Sequence, residues 1–216
     1  MVRAWAEGGP SSTITRPTVD VDLALLSMRS GGKAVLIPER LRRAGLTSGE
    51  EPFRLQGEGG VLIDLLIPPG ASRANPPRLG RQIMFEAAGS RFAFELLPEK
   101  VEVTLGEQRL EFLTPRLAGA LVLKAVVMGR VRRRVRDDAV DVARLLACAR
   151  TEPDVLSTDL RGAARRGDVR EGLRVIGHLF AEESSKGARL VAQQAGPLVA
   201  IEAVSDARWL LSRLKN

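Results

Sequence analysis

Asp20 and Asp22 are separated by one residue and alternate with Val19, Val21 and Leu23. On a strand, the two-residue period sends both carboxylates to one face, about 7 Å apart. Two like charges at that distance repel by roughly 2 kcal/mol at an effective dielectric near 20. A bound divalent cation removes that cost, and Mg2+ accepts hard carboxylate oxygens together with substrate phosphates. The competing reading is the solvated face of an antiparallel strand, and Asp-x-Asp alone does not separate the two. Asp64 lies inside Val61-Leu62-Ile63-Asp64-Leu65-Leu66-Ile67, the most apolar strand of the chain. Acids are depleted from strands and almost never buried unpaired, so unless Asp64 faces solvent it requires a partner or a metal. Three carboxylates on neighbouring strands would form a two-metal clamp that holds a triphosphate and activates a hydroxyl for in-line displacement.

Lys124 is the only charged residue between Leu117 and Met128, on a helix apolar nearly all round. A buried ammonium wants an anion, although a lysine on a helix flank can also snorkel to water. Asp138 and Asp141 are three residues apart, hence on one helix face. They can pair with Lys124 or with the Arg130–Arg136 cluster. That cluster is either a phosphate contact or a solvated helix junction. His178, the single histidine, falls in Val175-Ile176-Gly177-His178-Leu179-Phe180 and reads as a packing residue of an apolar helix. Cys148, the single cysteine, excludes an intrachain disulfide and a multi-thiolate zinc site. It reads as a buried core thiol.

These residues need elements to position them. The expected strands are Val19–Leu26, Phe53–Leu55, Val61–Ile67, Phe92–Glu95, Glu99–Leu105 and Gln108–Phe112. A Gly57-Glu58-Gly59-Gly60 turn joins the second to the third; no Lys-Ser/Thr follows it, so it is no phosphate loop. Pro38–Ala44 reads as a short helix, Ser72–Arg81 as a loop, and Met1–Glu7 as the last turns of a helix. At Thr114 the texture turns helical, with Thr114 as N-cap and Pro115 at the first helical position. Helices are expected over Pro115–Gly129, Arg134–Arg150, Val169–Glu183 and Pro197–Lys215. The fold class is therefore α+β, a mixed β-sheet with flanking helices over 1–112 followed by a helical region over 113–216.

The 216 residues, 44% hydrophobic and 27% charged, suit an ordinary globular protein long enough to bury a core. No apolar run approaches the ~18 residues of a membrane span, Glu7, Gly8 and Pro10 interrupt any signal-peptide core, and a cytoplasmic location is expected. The net charge of +7 favours anionic partners, or reflects helices solvated by arginine. Aromatics at 4% are too few for a protein that grips single strands by base stacking.

The run Thr15-Arg16-Pro17-Thr18-Val19-Asp20-Val21-Asp22-Leu23 resembles the R-x-T-x-D-[IV]-D-[LF] signature of minimal nucleotidyltransferases, including the AbiEii-like toxins of type IV toxin–antitoxin systems. Phe53-Arg54 followed by Val61–Ile67 and Pro68 resembles that family's "FRF … vDLL.P" hairpin. Leu113-Thr114-Pro115 with Lys124 resembles its Pro-started helix, and Arg136-Asp137-Asp138-Ala139-Val140-Asp141 its "K-D-x-x-D" helix. The resemblance spans roughly residues 13–150. It implies a nucleotidyltransferase-type sheet, with Asp20, Asp22 and Asp64 as metal ligands and catalytic carboxylates. Asp64 would also be the base for the acceptor hydroxyl. Arg16, Thr18, Lys124 and Asp138 would be nucleotide-binding residues, Lys124 reaching phosphates or a neighbouring acid.

Two departures stand out. The family carries a Gly-Gly or Gly-Ser pair at a helix N-terminus before the Asp pair, whose amides grip the triphosphate. Gly8-Gly9 is the only such pair upstream of Asp20, and Pro10-Ser11-Ser12 follows it. Either the true pair precedes Met1 or triphosphate binding has been lost. Asp137 stands where the family often has Lys. The expectation is thus a Mg2+-dependent transfer of a nucleoside monophosphate from an NTP to an RNA (tRNA) end or a protein hydroxyl, by a candidate toxin with a cognate antitoxin. The alternatives are a catalytically degenerate member that binds nucleotide, RNA or a partner protein, and an RNA-binding helical module.

Overall fold

A computed structural model describes residues 20–24, 37–71, 75–79, 81–96, 98–105, 108–130 and 135–215. Two units emerge, divided between Arg91 and Phe92, earlier in the chain than the 112/113 boundary expected from texture. Together they form an α+β protein. The expected Met1–Glu7 helix, and the Val19 and Leu25–Leu26 ends of the first strand, lie outside the described residues.

The N-terminal unit is built on strand β4 (Leu62–Ile67). Its apolar run suits a strand covered on both faces. The parallel strand β1 (Asp20–Ala24) pairs with it on one edge, and β3 (Arg54–Gln56) pairs antiparallel with it. β2 (Thr47–Ser48) extends the sheet in the order β1-β4-β3-β2. The turn between β3 and β4 needs its glycines, because Gly59 and Gly60 have φ of 68° and 77°. Leu55, Leu65, Ile67 and Met84 form the core, with Leu41 from helix α1 (Ile37–Arg43) packed against it. Full burial of each such side chain contributes about 1.5–3 kcal/mol. The segment expected as a loop over 72–81 carries the start of a small hairpin, β5 (Arg78–Leu79) with β6 (Gln82–Ile83). Buried Gln82 anchors it by donating to Pro52 O at 2.6 Å and accepting from Arg42. A further strand, β7 (Phe85–Glu86), runs parallel to the end of β4.

The C-terminal unit begins inside a wide helical turn, Arg91–Leu96, where a strand over Phe92–Glu95 was expected. Phe92 and Phe94 alternate with Ala93 and Glu95, a spacing that a half-buried strand also shows. Phe92, Ala93 and Phe94 are instead all buried, which a strand with one solvated face cannot provide. The turn also seats Ala93 against Gly119, where a Cβ would come 2.8 Å from the Ala93 Cα. The hairpin of β8 (Pro98–Leu105) and β9 (Gln108–Pro115) follows. Thr114 is not an N-cap and Pro115 is not in a helix. Both remain in the ladder, opposite Glu99 and Pro98, and the Thr114 hydroxyl donates to Glu99 O at 3.5 Å. Strand pairing overrides the local capping preference.

Six helices follow among the described residues: α2 (Leu117–Arg130), α3 (Val135–Ala149), α4 (Pro153–Gly162), α5 (Gly167–Leu179), α6 (Lys186–Ala195) and α7 (Pro197–Arg213). The apolar α2 packs on α3 and α5, and α3 packs on α6 and α7. The helix expected over Val169–Glu183 stops at Leu179, since Phe180 leaves helical geometry and the polar run Glu182–Ser185 forms a turn. Helices α4 and α6 were not anticipated, although Pro153 at the start of α4 and the spacing of buried Leu156 and Leu160 are ordinary helix signals. Three arginines in or beside these helices tie them together: Arg116–Asp159 at 3.3 Å, Arg150–Asp206 at 2.7 Å and Arg213–Asp154 at 2.5 Å. No helix among the described residues is long and apolar enough to cross a membrane.

Candidate functional site

In the N-terminal unit the acids are arranged by strand register. Parallel pairing sets Asp22 opposite Asp64 and Asp20 opposite Leu62. Register partners on adjacent pleated strands share a sheet face, and so do residues two apart on one strand. Asp20, Asp22 and Asp64 therefore take positions on one face. The antiparallel pairing of β3 with β4 adds Arg54 opposite Asp64. A row Arg54–Asp64–Asp22 thus crosses three neighbouring strands.

Asp64 is 4% exposed. Its carboxylate is met by a planar fork: Arg54 Nε donates to Oδ1 at 2.6 Å and Nη2 to Oδ2 at 2.7 Å. Such charge-assisted, two-pronged bonds are short and about twice as strong as neutral ones. The requirement for a partner in an apolar strand is met by this guanidinium. Sequence reasoning gave Arg54 no role beyond its place in the resembling hairpin. A signal was present, because Arg54 and Asp64 lie equally far from Gly59 along the chain, as cross-strand partners about a tight turn must. Among the described residues, no group of three or more His, Cys, Asp or Glu side chains converges as a ready metal cage. Arg16, Thr18 and the Gly8-Gly9 pair lie outside the described residues.

In the C-terminal unit, Lys124 reaches the two helix acids. Its Nζ donates to Asp138 Oδ1 at 3.2 Å and lies 3.1 Å from Asp141 Oδ2. Arg144 adds a second cation 3.6 Å from Asp141. The spacing of Asp138 and Asp141 on one face of α3 turns both toward α2, where Lys124 sits. Lys124 thus reaches its neighbouring acids. Asp138 is buried while Lys124 keeps partial contact with water. Asp137 is exposed.

Three other candidates resolve. Arg130 pairs with Glu171 across α2 and α5, and this hydrogen bond holds the Glu171 carboxyl below, and the Arg130 guanidinium above, their ordinary ranges. Residues 131–134 lie outside the described residues. His178 is exposed on α5 and not a packing residue, because the buried face of α5 is Val169, Gly172, Val175, Ile176 and Leu179. Cys148 is half-buried where a core thiol was expected, and burial pushes its thiol up.

No family model, curated protein or solved structure matches this chain.

Proposed function

We propose that the N-terminal unit is a nucleotidyltransferase-type domain that binds a nucleoside triphosphate with Mg2+ at Asp20 and Asp22, beside Asp64. The observation that carries this reading is the β1–β4 register, which aligns Asp22 with Asp64 and leaves Asp20 one pleat along. Hard oxygen donors in that arrangement fit a small divalent cation. When bound, the ion would offset the mutual repulsion of the acids and the charge of the triphosphate.

The chain's own residues supply the rest. Asp20 and Asp22 hold the ion on a rigid strand. Asp64, kept in one orientation by Arg54, lines the same face. The acceptor would be an RNA end, such as that of a tRNA, or a protein hydroxyl. The +7 charge supports an anionic partner. A role as the toxin of a toxin–antitoxin pair rests on the motif resemblance.

A second reading, a degenerate member that binds nucleotide, RNA or a partner protein without transfer, is favoured by one observation. Both oxygens of Asp64 already accept hydrogen bonds from Arg54, which weakens its assignment as a metal ligand and acceptor base. Calorimetry with Mg2+ and a panel of nucleoside triphosphates, beside a labelled-nucleotide transfer assay on cell extract, separates the two. The first reading expects binding and transfer, both lost in Asp20→Asn. Binding without transfer selects the second, and binding unchanged in Asp20→Asn contradicts the first.

A further inference from the structure

Asp64 has a cation built into the fold. Arg54 is its register partner, the fork engages both carboxylate oxygens, and the two side chains are only 14% and 5% exposed. The stem of Arg54 is seated as well. A Cβ on Gly49 would come 2.9 Å from Arg54 Cγ, and Gly49 N donates to Arg54 O at 2.9 Å. The missing side chain at position 49 is the space the arginine stem occupies. On the other flank of Asp64, β1 brings Asp22 into register.

We propose that Arg54 is the resident cation of this row of residues: it positions Asp64 and keeps it out of direct metal coordination, so that the strand acids take one divalent ion, at Asp20 and Asp22, instead of two. This rests on the reading of Asp20 and Asp22 as a metal site. Lone pairs are not the obstacle, since an ionised carboxylate can accept more than two donors. Charge is the obstacle. A metal ion on either Asp64 oxygen would lie beside a guanidinium that stays protonated at any working pH, in a place with little water to screen the repulsion. The arginine's backbone is fixed by the cross-strand pairing, and its stem lies against Gly49. Arg54 is therefore a positioning residue, and Asp64 contributes shape and orientation to the site without serving as a ligand.

The test counts ions. Mn2+ binding to the full chain is measured by the loss of the free-ion paramagnetic resonance signal. The wild type binds one Mn2+, and Asp22→Asn binds none. The double variant Arg54→Gln/Asp64→Asn removes both charges while keeping both shapes, so it remains folded and binds one ion with unchanged affinity. Arg54→Gln alone, which leaves the carboxylate without its guanidinium, gains a second ion. Two ions on the wild type, or loss of the ion in the double variant, would overturn the proposal, because either makes Asp64 a ligand. No Mn2+ on the wild type would overturn the metal reading beneath it.

Discussion

Each unit sets a basic side chain against acids on an apolar element, and the two do so by different means. In the sheet, one arginine meets one aspartate as a cross-strand register pair, with both heads nearly buried. In the helices, one lysine is shared between two aspartates a helical turn apart, and its side chain is 31% exposed. A register pair is set by backbone hydrogen bonds and cannot shift by less than a whole residue. The lysine reaches its partners through a flexible stem and three rotatable donors. The sheet pair is thus stiff and dry. The helical trio is adaptable and wetter, and its lysine has less to lose when disturbed.

This contrast ranks the expected effects. Arg54→Ala takes the guanidinium away from a buried carboxylate and should cost about 3–5 kcal/mol, read as a fall in the urea midpoint of unfolding. Lys124→Met leaves Asp138 facing Asp141 but with water nearby, and should cost about 2 kcal/mol, a discounted form of the same penalty. Equal losses for the two variants would erase the distinction between register-fixed and stem-fixed pairs.

A third tie, Arg130–Glu171, is more exposed still and sharpens the ranking at its weak end. Because Glu171 is held below the ordinary carboxylate range, its contribution is present above about pH 4.3. It disappears as pH falls through the lowered value. Glu171→Gln should therefore cost less than about 1 kcal/mol at neutral pH and nothing in more acid solution, by thermal melts across that window. A penalty that grows on acidification would contradict the assignment. The smallest effect concerns the thiol on α3: burial raises Cys148, so it should react with a disulfide reagent more slowly at neutral pH than a free cysteine. Reaction at the free-cysteine rate would place it in water.

How far the sequence could be read follows the same division. The β3–β4 hairpin was legible because apolar strands flanked a glycine-rich turn, and helices α2, α3 and α7 because their apolar stripes are long. The turn at Phe92–Leu96 was not, since two alternating phenylalanines imitate a strand and only tertiary packing against Gly119 decides otherwise. Thr114-Pro115 carried a valid helix-start signal that lost to the pairing of β8 with β9. The acids themselves were visible from residue type and spacing. Their partners were harder, because Arg54 and Lys124 are assigned by register and by helix-on-helix packing, which lie one level above local pattern. His178 was misplaced for a related reason: an apolar neighbourhood in sequence does not say which side of α5 faces water.

The central claim is that Asp20 and Asp22 form a divalent-cation and nucleotide site on β1. The most direct measurement is the calorimetric binding of ATP, GTP or CTP in Mg2+, compared between the wild type and Asp22→Asn. The account predicts binding by the wild type to at least one of the three, abolished in the variant while its melting temperature is retained. Identical binding isotherms for the two proteins would contradict it.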